Sequence, residues 1–210
     1  MRNIYLSFVF VLMSCFVYGQ QIPQYSLYML NDVIINPSLI AAKNENQFTL
    51  MVRDQWTGFE GAPKTQSISY YNINNPEFGK GISIVNDVTG PISILSGNIS
   101  GSTLIKTKLK HKLAVGATIN VYQYQFRNGE IILEDDGIID PVIDQSTTDK
   151  LISGSANIGV NYFSDKFNIG LSALNFISND LGISSSNITN KLVSNYYLNA
   201  SYQLSNNPEF

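Results

Sequence analysis

Residues 92–127 read ISILSGNISGSTLIKTKLKHKLAVGATINVYQYQFR, and this stretch decides the fold. Apolar residues alternate with serine, threonine, asparagine, glycine and glutamine on both sides of a tight turn near Lys110-His111. Successive side chains of a strand point to opposite sides, so this period of two marks strands with two unlike faces. The two strands expected here, 92–108 and 112–127, are long for a small soluble sandwich, where about 5–6 residues is usual. Crossing an outer membrane takes about 10 tilted residues per strand, with the excess projecting beyond the bilayer.

The same alternation extends from residue 47 to the end of the chain. Phe48, Leu50 and Val52 share one face, with Gln47, Thr49 and Arg53 on the other. A strand near 64–74 sets Ile68 and Tyr70 opposite Thr65, Ser67 and Ser69, and one near 80–86 sets Ile82 and Ile84 against Ser83. Further strands are expected at 153–163, 166–174 and 194–204, the first two joined by Ser164-Asp165-Lys166. No long stretch repeats apolar residues at i, i+3, i+4 and i+7, so helix is a minor component. Charged residues make up only 14% of the chain, and the net charge of -3 argues against nucleic acid as a partner.

Connection lengths point the same way. With the mature N-terminus starting in the periplasm, the short connections at 75–79, 109–111 and 164–165 fall on the periplasmic side. The longer ones at 56–63, 128–152 and 175–193 fall outside, together with one short connection at 87–91. Short periplasmic turns and longer outer loops are the habit of outer-membrane barrels. The fold class is therefore all-β: an antiparallel transmembrane β-barrel of the outer membrane, residues 46–210. Asn206-Asn207-Pro208-Glu209 interrupts the alternation before Phe210, so the expectation is a barrel truncated at its C-terminus.

The N-terminus carries an export address. Arg2 precedes an apolar run from Ile4 to Tyr18, too short for a membrane helix, which makes residues 1–19 a signal peptide cleaved after Gly19. A rival reading takes Leu12-Met13-Ser14-Cys15 as a lipoprotein signal acylated at Cys15. If Cys15 leaves with the signal, the mature chain has no cysteine and no disulfide. Residues 20–45 are neither regular strand nor helix in pattern. They are expected to form an extended arm, packed in the lumen as part of a plug or leading flexibly into the first strand.

Candidate chemistry is sparse. Arg53, Asp54, Trp56, Gly58, Gly61 and Pro63 concentrate special residues at a strand end and its loop. One reading is a structural turn, with Trp56 in the aromatic girdle and Arg53 paired in the lumen; the other is an inward loop that contacts a partner or plug. Glu134, Asp135, Asp136 and Asp140 belong to a carboxylate-rich stretch that is a weak calcium candidate, because its spacing does not match a helix-loop-helix calcium loop. A solvated, partner-facing loop is the alternative. His111 is the only histidine and lies in a turn at the periplasmic end, which rules out a His-rich zinc site and leaves a Ser-His-Asp triad dependent on that one residue. Gly79 with Gly81, and Gly97 with Gly101, lack the context of a phosphate loop and point to close packing or a strand bend. No cofactor is expected.

Three segments together resemble the PorP/SprF-like outer-membrane proteins of the type IX secretion and gliding machinery of Bacteroidetes. They are Gln21-Ile22-Pro23-Gln24-Tyr25-Ser26-Leu27-Tyr28-Met29-Leu30-Asn31 with Ile35-Asn36-Pro37-Ser38; Arg53-Asp54-Gln55-Trp56-Thr57-Gly58-Phe59-Glu60-Gly61-Ala62-Pro63-Lys64-Thr65-Gln66; and Gly81-Ile82-Ser83-Ile84-Val85-Asn86-Asp87 with Gly90-Pro91, echoed at Asp165-Lys166-Phe167-Asn168-Ile169-Gly170-Leu171-Ser172. The resemblance implies a fourteen-stranded barrel whose last strands are missing here after about residue 204. It implies a role in secreting or retaining type IX cargo, such as an adhesin with a C-terminal sorting domain, alongside other secretion and gliding components and outer-membrane lipid. It implies no catalysis. The competing expectation is a passive porin with an open aqueous lumen.

Overall fold

The computed structural model describes residues 31–43, 45–75, 77–106, 111–127, 148–179 and 192–203. Eight strands follow in chain order: β1 (Gln47–Asp54), β2 (Lys64–Asn75), β3 (Phe78–Thr89), β4 (Ile92–Lys106), β5 (Lys112–Arg127), β6 (Thr148–Phe163), β7 (Phe167–Ser178) and β8 (Asn195–Tyr202). Each pairs antiparallel with the next, giving one meander in the order β1 to β8. Among the described residues no pairing joins β8 back to β1. No helix of the described residues is long and apolar enough to cross a membrane.

The period of two fixes which side chains share a face, and the burial shows which face is inside. Along β5, Ala114, Gly116, Thr118 and Asn120 are buried while Val115, Ala117, Ile119 and Val121 are exposed. Ile119 stands 67% exposed beside Asn120 at 2%. The same inversion holds on β2, where Thr65, Ser67 and Ser69 are buried and Ile68 and Tyr70 are exposed. Small hydroxyl and amide side chains line the concave face, and isoleucine, leucine, valine and phenylalanine cover the convex one. A water-soluble sheet would hide its apolar face; a barrel wall presents that face to lipid.

Three strands extend well beyond their expected limits. β3 runs over 78–89, because its ladder with β4 continues from Phe78↔Thr103 to Thr89↔Ile92. β6 begins at 148 and not 153, since Thr148 to Ile152 pair with Arg127 to Gln123 although their own sequence hardly alternates. β7 continues to Ser178 beyond a register shift between Ala156 and Ile158 of β6. Non-Gly Asn175 sits there at φ 53, and Ser172, Ala173, Leu174 and Asn175 are all buried, so the alternation breaks where the strand bulges.

Within the stretch expected to be an extended arm, residues 31–43 are compact. Two short 3-10 helices, Asp32–Ile34 and Pro37–Ala42, lie against the concave face. Their start is locally encoded: the Asn36 side chain accepts from the Ser38 amide at 3.1 Å, and Pro37 supplies a preset φ at the first helical position.

Candidate functional site

The inner segment, residues 31–43, is held by strands from across the sheet. The Asn31 amide donates to Ser69 of β2 at 3.0 Å and its carbonyl oxygen accepts from the Tyr71 hydroxyl at 2.8 Å. The Ala41 amide donates to Ser102 Oγ of β4 at 2.7 Å, and Ser172 Oγ of β7 donates to the Ile35 carbonyl at 2.6 Å. Asn36 Nδ2 donates to the Val160 carbonyl of β6 at 3.3 Å and to Asn199 Oδ1 of β8 at 3.4 Å. Val33, Ile40 and Tyr71 form a small apolar cluster beneath these bonds.

Glycines make room for the segment. A Cβ at Gly116 of β5 would lie 2.5 Å from the Pro37 carbonyl carbon and the Ser38 nitrogen, and one at Gly79 of β3 would meet Ile40 and, at 2.9 Å, the Ala41 nitrogen. At Gly159 of β6 it would strike the Asn36 side chain. Because the Gly116 obstacle is backbone, the segment would have to move to admit any side chain there. The close-packing expectation thus holds at Gly79, and also at Gly81, where the Tyr71 ring lies over the strand; Gly97 has open space around it and Gly101 only Phe78 at 3.8 Å.

Further along the same strands the concave face closes on itself. Asn120 donates to Ser155, Ser155 to Asn175 Oδ1 at 2.8 Å, and the Asn175 amide to Asn157 Oδ1 at 2.9 Å. Asn157 donates back to Asn120 at 3.4 Å. These bonds tie β5, β6 and β7 into one network and satisfy amides that would otherwise be buried without partners. Between it and the inner segment lies a cavity of about 60 Å3, lined by Val33, Tyr71, Asn98, Asn120, Tyr122 and Asn157, among others.

The loop singled out from the sequence lies elsewhere, at the end of the long connections. Asp54, the last residue of β1, pairs with Lys64 at 3.6 Å, and Arg53 occupies the position opposite Thr65. Trp56 takes a φ of 48 and is 70% exposed, with Phe59 at 77%. Gly58 and Gly61 have φ of 100 and 72, so the turn needs them. The Gln55 amide donates to the Pro63 carbonyl at 3.0 Å, and the Gly90 amide to the Gly61 carbonyl at 2.8 Å, which fastens the loop to the turn between β3 and β4. The site residues of this loop are thus gathered together, away from the inner segment.

The calcium candidates Glu134, Asp135, Asp136 and Asp140 lie outside the described residues. Among the described residues no three acids, histidines or cysteines group in a way that could hold a metal ion. His111 Nδ1 lies 2.9 Å from the Tyr162 hydroxyl and the two rings stack, so its described contacts secure a turn. The cradle residues that the sequence did not single out are Gly116, Gly159 and Asn199. Their signal was the recurrence of glycine, serine and asparagine at inward positions.

No curated protein and no solved structure matches the chain. The family described as type IX secretion system membrane protein PorP/SprF matches residues 17–210, nearly the whole sequence. Its membrane setting accounts for a sheet that hides its polar face and exposes its apolar one. The chain belongs to the PorP/SprF family of type IX secretion system membrane proteins.

Proposed function

We propose that this protein works in the outer membrane as a plugged barrel that assists secretion or surface anchoring of large type IX cargo, such as adhesins with a C-terminal sorting domain. It acts by binding and shape and catalyses nothing. The observation that carries this reading is the seating of residues 31–43 on the concave face, bonded to β2, β4, β6, β7 and β8. A diffusion channel needs that space for water; a binding scaffold does not. In this reading residues 1–19 are the export signal, the short turns face the periplasm and other secretion or gliding components, and the loop from Arg53 to Pro63 faces outward.

Two measurements test it. Affinity capture of the tagged full-length protein from outer membranes of its host is expected to recover a large surface protein with a C-terminal sorting domain. Recovery without any such cargo overturns the anchoring role. In planar bilayers the purified protein is expected to show no steady open state; large, stable conductance would favour the porin.

A further inference from the structure

At the short-turn end of the concave face the inner segment leaves a pocket of about 520 Å3. Ala41, Ala42 and Lys43 form its floor, and Leu104, Lys106, Lys112 and Phe163 belong to its wall. Leu104, Ala114 and Ala41 are packed together with Phe163 beside them, so the deep part is apolar while the rim is cationic.

The rim charges are placed at a cost. Lys106 and Lys112 are direct register partners on β4 and β5, and like charges facing each other across a ladder are destabilising. Neighbouring acids offset this only in part. Lys43 is held by Asp32 at 2.8 Å. Lys106 reaches Glu77 at 3.6 Å with both side chains more than half exposed, a bridge that contributes little and is easily exchanged. Among the described residues no carboxylate pairs with Lys112, and Asp165 is the single acid on the pocket wall.

We propose that this pocket binds an acidic peptide segment, with a carboxylate received between Lys106 and Lys112 and an adjacent apolar side chain set against Leu104 and Phe163. A lipid headgroup suits the site less. Lys106 and Lys112 continue the inward positions of Leu104 and Ala114, so they stand at the mouth of the concave face and not on the apolar surface. The volume also lies within the range of sites that enclose a compact ligand, roughly 300–1,000 Å3. The site stands whether or not the cargo is an adhesin.

The test uses the purified full-length protein in detergent and a fluorescently labelled peptide of alternating glutamate and phenylalanine. The acidic peptide is expected to bind, and its glutamine counterpart to bind at least about tenfold more weakly. K106Q/K112Q should lose about tenfold in affinity, K106R/K112R should retain it, and K80Q, on the outward face of β3 at the same end, should change nothing. Equal binding of the two peptides, or an undiminished affinity in a heat-modifiable K106Q/K112Q protein, overturns the proposal. So does loss of peptide binding in nanodiscs of anionic lipid but not of phosphatidylcholine, which would mark the lysines as a lipid contact.

Discussion

The two halves of the concave face are made from the same strands and close by different means. Toward the short turns, Gly79, Gly116 and Gly159 stand where a second piece of chain arrives, and its backbone fills the volume a side chain would take. Toward the long loops, Asn120, Ser155, Asn157 and Asn175 reach one another and need no inserted chain. The first half is specified by the absence of atoms, the second by hydrogen-bond partners. Substitutions should therefore fail in different ways: added volume is intolerable in one, and lost polarity is the damaging change in the other.

The largest effect is expected where that contrast is sharpest. Gly116→Val puts a branched side chain into the Pro37–Ser38 backbone and should cost about 3 kcal/mol, the upper part of the usual overpacking range, read as a lowered urea midpoint of the heat-modifiable band. Gly97→Val, with nothing within 4 Å of its Cβ, should be neutral or stabilising by up to about 1 kcal/mol. Equal behaviour of the two variants would mean that the inner segment does not sit against β5.

Asn36 joins both kinds of closure, since it caps the second 3-10 helix and spans to Val160 and Asn199. Asn36→Ala removes the cap and leaves Asn199 Oδ1 without that donor, at a cost of about 2 kcal/mol. The loss should be local: faster amide exchange over 37–42 with strand amides unchanged. Uniform acceleration across the strands would show that segment and wall unfold as one unit.

In the other half the corresponding change is smaller. Ser155→Ala removes the hydroxyl that accepts from Asn120 and donates to Asn175, and should cost about 1–2 kcal/mol. In a double-mutant cycle with Asn175→Ala the two losses should be less than additive, since they share one bond. Strict additivity would mean the network is not formed.

The strands were legible because burial on one side only imposes a period of two on every residue, as Phe48 to Val52 and Val115 to Val121 display. The alternation alone did not say which face was inside; length and composition pointed to lipid outside, and the exposure of Ile99 and Ile119 agrees. The inner segment was legible only as one of two readings of residues 20–45, a plug packed in the lumen or a flexible leader. Its seat depends on glycines in β3, β5 and β6, far away in sequence, and no local pattern links them. The same holds for Asn175, whose bulge arises from the register of β6 and β7 and not from its neighbours.

The smallest structural effect is expected at the loop that the sequence made most conspicuous. Trp56 and Phe59 are 70% and 77% exposed, so Trp56→Ala and Phe59→Ala remove little packing and should shift stability by no more than about 0.5 kcal/mol. The backbone of that loop is nevertheless fixed, by Gly58 and Gly61 at positive φ and by the bond from the Gly90 amide to the Gly61 carbonyl. Two large aromatic side chains held out on a fixed turn contribute little to stability, whereas aromatic anchors on rigid supports are what binding surfaces use. The double variant should keep its heat-modifiability and urea midpoint while recovering less cargo in affinity capture from host membranes. Unchanged capture would return Trp56 to a girdle residue, and the contrast within the molecule would then be one of packing alone.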